Sequence, residues 1–346
     1  MTRTRPGDGG RGLAPYWRSL LLGAAGLALA GGMVVATLAG GPVEDESPKR
    51  PPATEATQAA HGDPVPLAAR ERCDDGDGEG IDPAASLRPR REAGPAVEQI
   101  QRDERLVVGI DQTSYRWGYL HPEDGEIVGF DIDLVRAIAT DLLGPDPTIV
   151  FRAVPTDQRV AALEAGDVDM VVRSMSITCE RIQEVAFSTS YFETGQQLLV
   201  PHRSEIDGFD ETLAGQRVCS ARGSTASRLL EQEDRGAVLI SAPNHLDCLV
   251  QVQLGLADAL MTDSALAAGH IGQDPSMRLV GDELTAESYG VAMRQADEDL
   301  VRWVNAVLDE YRGTGPDSPW HQAFEDWLAG YLPDSAAVPP EPLYRD

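Results

Sequence analysis

The chain has 346 residues, and 56 aspartates and glutamates outnumber 29 lysines and arginines, so its formal net charge is −27. Such an acidic chain has no basic stripe to displace the counterions of a phosphate backbone, which excludes nucleic acid as its partner. The length is sufficient for one or two domains that bury a hydrophobic core.

The first 41 residues are typical of a segment that directs export. Residues 1–18 carry four arginines and predict a basic flank on the cytoplasmic side. Residues 19–41 have no charged side chain and are long enough to cross a bilayer as a helix. This run is either a signal peptide, cleaved near residues 28–30, or a retained transmembrane anchor, and its length favours the anchor.

Residues 42–96 are predicted to be a linker followed by an N-terminal extension. Residues 42 to about 72 are rich in proline, alanine and acidic side chains and show little apolar periodicity, which predicts disorder. Residues 73–96 are also polar and rich in glycine and proline, but Cys73 suggests that they are partly ordered.

From residue 97 onward, predicted strands and helices alternate, which is typical of parallel sheets that carry helices on both faces. The clearest helix begins at Asp131, after which apolar residues recur with a period near 3.6 up to Leu142. The pattern predicts an α/β fold of two lobes that close about a hinge. Lobe 1 is predicted to comprise residues 97–199 and 291–332, lobe 2 residues 200–290, the crossings residues 198–201 and 288–293, and a tail residues 333–346.

The segment 168–192 carries the strongest candidate binding site. A predicted buried strand ends in the hydroxyl residues Ser174 and Ser176, and Arg181 follows. Free backbone N–H groups favour anions, and a guanidinium matches a carboxylate with two parallel hydrogen bonds. The alternative is a strand, turn and helix whose arginine is a surface charge, and the residue types alone leave both open.

The order of residues in this segment resembles the T-I-T-x-E-R and F-S-x-P-Y signature of the extracytoplasmic solute-binding proteins of amino-acid ABC transporters, family 3. Residues 128–134 (VGFDIDL) resemble its G-F-D-x-D-L helix start, and residues 165–169 (AGDVD) its G-x-x-D lead-in to a strand. The resemblance extends from about residue 106 to about residue 328 and is nearest to actinobacterial glutamate-binding proteins. It implies a type II periplasmic-binding-protein-like clamshell, without a cofactor or a metal, that binds an amino acid between its lobes.

The resemblance also implies roles for individual residues. Arg181 and the amide and hydroxyl of Ser176 would hold the α-carboxylate of an amino acid. Asp263 would accept its α-ammonium, together with the carbonyl of Ser174, although a helix N-cap is the alternative for Asp263. The helix start at Gly223, Ser224 and Thr225 would assist at the carboxylate, and Tyr115 or Trp117 would form a wall of the site.

The subsite for the ligand side chain is the least determined. Arg173 and Arg222 adjoin the binding motifs, and their charges favour an acidic ligand. Lys49 is the only lysine, however, so arginine is the default cation of this chain and any single arginine is weak evidence. We expect glutamate or aspartate, with glutamine or asparagine as the alternative.

Four cysteines in an exported chain imply disulfides, and four cysteines allow three connectivities. Cys219 and Cys248 resemble a pair found in actinobacterial glutamate-binding relatives. Cys73 and Cys179 would then tie the extension to the base of the binding loop, unless Cys73 is free. Neither pair has the spacing of a zinc site.

The resemblance implies partners and a location. A monomer outside the cytoplasm, anchored to the membrane or released from it, would deliver its ligand to the permease and ATP-binding subunits of an ABC importer. A receptor coupled to a membrane signalling protein is an alternative. Cyclohexadienyl dehydratases and a class of peptidoglycan lyases share the module, but the sequence has no ordered catalytic set, so we expect no enzyme activity.

Overall fold

The structure is a computed structural model that describes residues 71–74 and 80–346. The predicted basic flank (1–18), the predicted anchor (19–41) and most of the predicted linker lie outside the described residues. Within these two ranges, none of the helices combines the length and the apolar character needed to cross a membrane.

The described residues form eight α-helices and fifteen strands. The helices are α1 (Pro95–Asp103), α2 (Phe130–Leu143), α3 (Arg159–Glu164), α4 (Thr225–Gln232), α5 (His245–Gln253), α6 (Ser264–Gln273), α7 (Glu298–Arg312) and α8 (Pro319–Trp327). The strands are β1 (Leu106–Ile110), β2 (Thr113–Ser114), β3 (Gly118–Leu120), β4 (Ile127–Val128), β5 (Ile149–Ala153), β6 (Met170–Val171), β7 (Val185–Phe187), β8 (Phe192–Thr194), β9 (Gln196–Pro201), β10 (Arg217–Ala221), β11 (Val238–Ala242), β12 (Ala259–Asp263), β13 (Met277–Val280), β14 (Glu287–Tyr289) and β15 (Ala292–Arg294).

Two five-stranded sheets have the same arrangement. The first has the order β5-β1-β6-β15-β7, and only β15 runs against the other four strands. The second has the order β11-β10-β12-β9-β13, and only β9 runs against the others. The predicted two-lobed α/β fold, with a mainly parallel sheet in each lobe, is therefore confirmed. The names lobe 1 and lobe 2 are kept for the parts that carry the first and the second sheet, and the predicted residue bounds of the lobes stay a prediction.

Two short strands form the hinge between the sheets. β8 and β14 pair antiparallel as a separate ribbon, and each leads directly into the strand that enters the opposite lobe. The crossings pack closely, since a Cβ atom on Gly195 would lie 2.2 Å from the carbonyl oxygen of Thr285. The first crossing ends at Gly195, earlier than the predicted residues 198–201, because β9 pairs with β12 from Gln196 onward.

The core of lobe 1 forms around α2, as the apolar periodicity predicts. Ile132, Val135, Ile138 and Leu142 are buried, and α7 and α8 pack on the same helix. Burial of this size of side chain contributes about 1.5–3 kcal/mol per residue. An aromatic group continues the core toward the hinge and includes Trp117, Phe130, Tyr191, Phe192, Tyr289 and Trp320.

Residues 80–96 and the tail (333–346) are ordered against lobe 1, whereas the sequence predicted only partial order for residues 73–96. The Ser86 hydroxyl donates to the carbonyl of Phe187 over 2.6 Å, and Ser86 also bridges to Tyr344 in the tail. Asn305 donates to the Ser86 hydroxyl and to the Leu87 carbonyl. Composition could not predict this order, because the partners come from β7 and α7, far away in the sequence.

Both predicted disulfides are present. Cys73 bonds to Cys179, which lies two residues before Arg181, and Cys219 at the centre of β10 bonds to Cys248 in α5. The alternative of a free Cys73 is wrong, and no free cysteine occurs in the described part of the chain.

Replacement of Cys219 and Cys248 together by alanine is expected to lower the free energy of unfolding. The bond closes a loop with a sequence separation of 29. A cross-link that closes a loop of this size raises the free energy of the unfolded chain by about 3.6 kcal/mol. Denaturant unfolding of parent and variant measures the difference. An unchanged midpoint with an unchanged slope would contradict the expectation.

Candidate binding site

The loop after β6 is fixed in an unusual conformation at Ser174, whose φ is 42°. This left-handed region is unfavourable for a residue with a side chain. The backbone N–H and the hydroxyl of Ser174 both donate to Oδ2 of Asp131 over 2.9 Å, and the Tyr191 hydroxyl donates to Oδ1 over 2.8 Å. Burial raises the pKa of Asp131 to about 6, against these three hydrogen bonds. Asp131 thereby holds the predicted ligand loop and sets the direction of the Ser174 carbonyl.

Arg181 lies in the same loop and reaches the other lobe. Its side chain is buried, with 5% of the residue exposed. Nη1 donates to the carbonyl of Ser176 over 2.6 Å and Nη2 to the carbonyl of Gly223 over 3.0 Å. Burial lowers the pKa of Arg181, and Glu287 nearby raises it. The guanidinium therefore remains a buried cation between the lobes.

Asp263 ends β12 in lobe 2 and is the opposing charge, with 4% of the residue exposed. Asp263 occupies the N-cap position of α6, as the predicted alternative has it, but its side chain makes no capping hydrogen bond to that helix. It accepts instead a hydrogen bond from the Gln196 amide. Burial, and then the charge of Glu287, raise the pKa of Asp263 well above its ordinary value, while Arg181 lowers it.

At the start of α4, the backbone of lobe 2 comes close to the backbone of lobe 1. This helix start does not present a row of free hydroxyl groups. Gly223 has a φ of 73°, and a Cβ atom there would lie 3.0 Å from Cα of Asp157 in lobe 1, so only glycine fits easily. The Ser224 hydroxyl caps α4 by accepting from the N–H of Ser227. The first N–H groups of α4 have no backbone partner within the helix, and such a helix start favours an anion.

Arg159 is a residue of this group that the sequence reading missed. It is 4% exposed, and its Nε donates to the Thr156 carbonyl over 2.8 Å. Among the described residues it forms no ion pair. Burial, followed by the charges of Arg181 and Arg173, lowers its pKa well below the ordinary value. The sequence does contain a signal for the burial of Arg159. Arg159 lies four residues before the buried Leu163, so both lie on one face of α3.

Arg173 is buried as well, but its charge is paired, which corrects the expectation of a free cation for a ligand. Its Nη2 atom forms an ion pair with Oδ2 of Asp111 at 2.8 Å. The same atom donates to Oδ1 of Asn244 in lobe 2 over 2.9 Å. Burial alone would raise the pKa of Asp111, but Arg173 and the hydrogen bonds from Thr113 and Ser114 lower it. Arg173 therefore links the two lobes, and Asp111 neutralises its charge.

Arg222 does not enter the buried group, against the prediction, because it lies at the rim. Its side chain is 57% exposed and forms an ion pair with Asp157 at 3.2 Å. A second rim pair joins Arg228 to Glu180 at 2.6 Å. Both pairs connect the lobes, but exposed pairs of this kind contribute little stability.

The two aromatic candidates differ in position. The ring of Tyr115 packs on Tyr119 and Tyr331, with ring centroids 5.0 and 6.2 Å apart, and not on the buried charges. Trp117 is fully buried, stacks edge-on against Tyr289 and donates from Nε1 to the carbonyl of Ala265, which is close to Asp263 in sequence. Trp117 as a wall of the site stays a prediction, while the ring of Tyr115 lies elsewhere because it packs on Tyr119 and Tyr331.

The site contains no candidate metal centre. Among the residues that the structure describes, no group of three or more histidine, cysteine, aspartate or glutamate side chains could hold an ion. The arrangement instead places a guanidinium and a carboxylate, one from each lobe, at the ends of strands where open α/β sheets bind ligands.

The chain is similar to proteins of known description. Residues 106–328 match the bacterial extracellular solute-binding proteins, family 3. The chain is 32% identical over 229 residues to the ABC transporter glutamine-binding protein GlnH of Bacillus subtilis, covering 66% of this chain and 83% of that protein. It is 30% identical over 207 residues to the glutamate-binding protein GluB of Corynebacterium glutamicum, covering 57% of this chain and 70% of that protein. A solved structure of an ancestral arginine-binding protein bound to glutamine has a TM-score of 0.60 and 32% identity, covering 65% of this chain and 98% of that one.

Replacement of Asp263 by asparagine is expected to stabilise the fold and to weaken ligand binding. The pKa of Asp263 is higher in the folded than in the unfolded chain, so folded stability falls as the pH rises above the ordinary value of 3.8. Asparagine removes this loss and raises the free energy of unfolding at neutral pH by roughly 1–3 kcal/mol. Thermal unfolding at pH 7 and near pH 4 measures the difference, which should shrink at the lower pH.

The matched control is Asp282→Asn, which removes an equal charge from an exposed position. It should leave both stability and binding unchanged. A less stable Asp263→Asn variant at pH 7 would show that the carboxylate stabilises the fold.

Proposed function

The chain belongs to the bacterial extracellular solute-binding proteins, family 3, and we propose that it binds glutamate or aspartate outside the cytoplasm by closure of its two lobes. Glutamine or asparagine is the alternative ligand. The bound amino acid is handed to the permease and ATP-binding subunits of an ABC importer by a monomer tethered to the membrane.

The observation that carries the proposal is the pair of buried opposite charges. Arg181 from lobe 1 and Asp263 from lobe 2 are each nearly fully buried, and each influences the pKa of the other. Neither forms an ion pair among the described residues. An amino acid carries a carboxylate and an ammonium on the same carbon atom, and it supplies a partner for each of these charges at once. Closure then removes water and strengthens both contacts.

The preference for an acidic ligand rests on Arg159. The two relatives named above are described as binding different amino acids, glutamine and glutamate. Arg159 has no carboxylate partner in the described residues, whereas the charge of Arg173 is already balanced by Asp111. A second carboxylate on the ligand would compensate Arg159. A cationic ligand side chain would instead add like charge to the group of Arg159, Arg173 and Arg181, at a cost.

Calorimetric titration of the exported domain with the twenty amino acids tests the proposal. Arg181→Ala is expected to weaken binding by about 2–5 kcal/mol, or roughly 30-fold and more, because the ligand carboxylate loses a buried charge partner. The matched control is Arg222→Ala, which removes an equal charge from the exposed rim and should bind as the parent does. Equal binding by parent and Arg181→Ala would remove Arg181 from the site, and no binding of any amino acid would refute the proposal.

Arg159→Gln tests the choice between acid and amide. The variant is expected to lose glutamate affinity by roughly 10-fold or more, because a hydrogen bond to a charged group contributes about 1.5–3 kcal/mol. Its glutamine affinity should change much less. The ratio of the two dissociation constants is the measurement. A parent that prefers glutamine, or a ratio unchanged in the variant, would contradict the assignment of an acidic ligand.

Uptake of labelled glutamate by cells that lack the chain tests whether the protein delivers the bound amino acid to an importer. These cells are expected to lose glutamate uptake. The parent protein should restore it, and the Arg181→Ala variant should not. Unimpaired uptake together with binding in vitro would indicate a receptor that reports on the amino acid rather than a component of an importer.

A further inference from the structure

Glu287 occupies a position at which both lobes and both hinge crossings meet. It is the first residue of the hinge strand β14 and is partly buried. Its Oε2 accepts hydrogen bonds from the hydroxyl of Ser176 and, over 2.9 Å, from the hydroxyl of Thr225. Its Oε1 accepts from the Gln196 amide over 3.0 Å and from the Thr285 hydroxyl over 3.1 Å. A carboxylate accepts about four hydrogen bonds, so this one is saturated.

The four donors come from four separate parts of the chain. Ser176 belongs to the ligand loop of lobe 1, and Thr225 is the first residue of α4 in lobe 2. Gln196 begins β9 immediately after the first crossing, and Thr285 precedes β14 in the second. A rotation of the lobes about the hinge moves Ser176 relative to Thr225. Both hydroxyls can therefore reach the same carboxylate oxygen in one relative orientation of the lobes.

The direction of these hydrogen bonds also affects the ligand. A hydroxyl has one proton to donate, and Ser176 and Thr225 both donate theirs to Glu287. The Gln196 amide nitrogen also lies 2.9 Å from the Thr225 hydroxyl oxygen, but its two protons already go to Asp263 and Glu287. Neither hydroxyl then has a proton for a ligand carboxylate, so the carboxylate depends on the Arg181 guanidinium and on backbone N–H groups.

We propose that Glu287 is a positioning residue that couples lobe closure to the binding site, by holding the hydroxyls of Ser176 and Thr225 together and directing their protons away from the ligand. This inference rests on the proposed function, because it describes how the same site closes. Glu287 acts through Ser176 and Thr225 and through the hinge, without a contact to the ligand.

Glu287→Gln is the main test, since glutamine keeps the size of the side chain and replaces one acceptor oxygen by a donor. The variant is expected to bind the amino acid at least about 10-fold more weakly, mostly through faster dissociation, because the closed arrangement loses a contact made only on closure. Stopped-flow dissociation and calorimetry measure this. Glu123→Gln removes an equal charge from an exposed turn and is the matched control.

A double-mutant cycle separates positioning from a general effect on folding. If Glu287 acts through Ser176, then Ser176→Ala should weaken binding in the parent and have little further effect in Glu287→Gln. Additive losses of affinity would overturn the proposal. Thr225→Val combined with Ser176→Ala gives a cycle that leaves Glu287 in place, so it serves if Glu287→Gln fails to fold. Both hydroxyls act through the same carboxylate oxygen, so their losses of affinity should again be less than additive, and additive losses would overturn the proposal.

A measurement without ligand keeps this inference distinct from the proposed function. Small-angle X-ray scattering of the ligand-free proteins should give a larger radius of gyration for Glu287→Gln than for the parent and Glu123→Gln. An equal radius of gyration and an unchanged dissociation rate would overturn the role of Glu287. If the parent binds no amino acid, the proposed function fails, and the scattering comparison still decides whether Glu287 favours closure.

Discussion

The opposition of two buried charges, the guanidinium of Arg181 and the carboxylate of Asp263, is the constraint on which the rest of the structure depends. Removal of a charge from water is costly unless a partner compensates it. Here the compensation within the chain is incomplete. Arg181 donates to two carbonyl groups, and Asp263 accepts from the Gln196 amide and lies beside the like charge of Glu287. The raised pKa of Asp263 reflects this cost. A site of this kind gives up stability that a ligand with both charges restores.

The surrounding polar groups keep this constraint in place. Asp131 fixes the backbone at Ser174 in a strained conformation, and Arg173 links Asp111 to Asn244 across the lobes. These groups are buried and hydrogen-bonded, so they are stiff, whereas the ion pairs at the rim are exposed and weak. The buried contacts therefore hold the two lobes together more firmly than the exposed ion pairs do.

Local sequence order predicted the fold and the two charges because each depends on a short segment. The alternation of strands and helices and the apolar face of α2 are local, and both are confirmed. The motif that ends at Arg181 is local too, and its role in binding stays a prediction. The residues that the sequence did not predict are determined by distant partners. Arg173 is adjacent to the ligand loop, yet its charge is balanced by Asp111, 62 positions earlier in the chain. Gln196 and Glu287 meet only because the two crossings lie side by side, which no periodicity reveals. The order of residues 80–94 likewise depends on Asn305 and on the tail.

The attachment of the extension has a mechanical consequence. Cys179, the Ser86 contacts and the C-terminal tail all belong to, or pack against, lobe 1. The first described residues, which include Cys73, are therefore fastened to this lobe by a covalent bond near the binding loop. Both ends of the described chain belong to lobe 1, so any rotation about the hinge moves α4, α5 and α6 of lobe 2 relative to both ends.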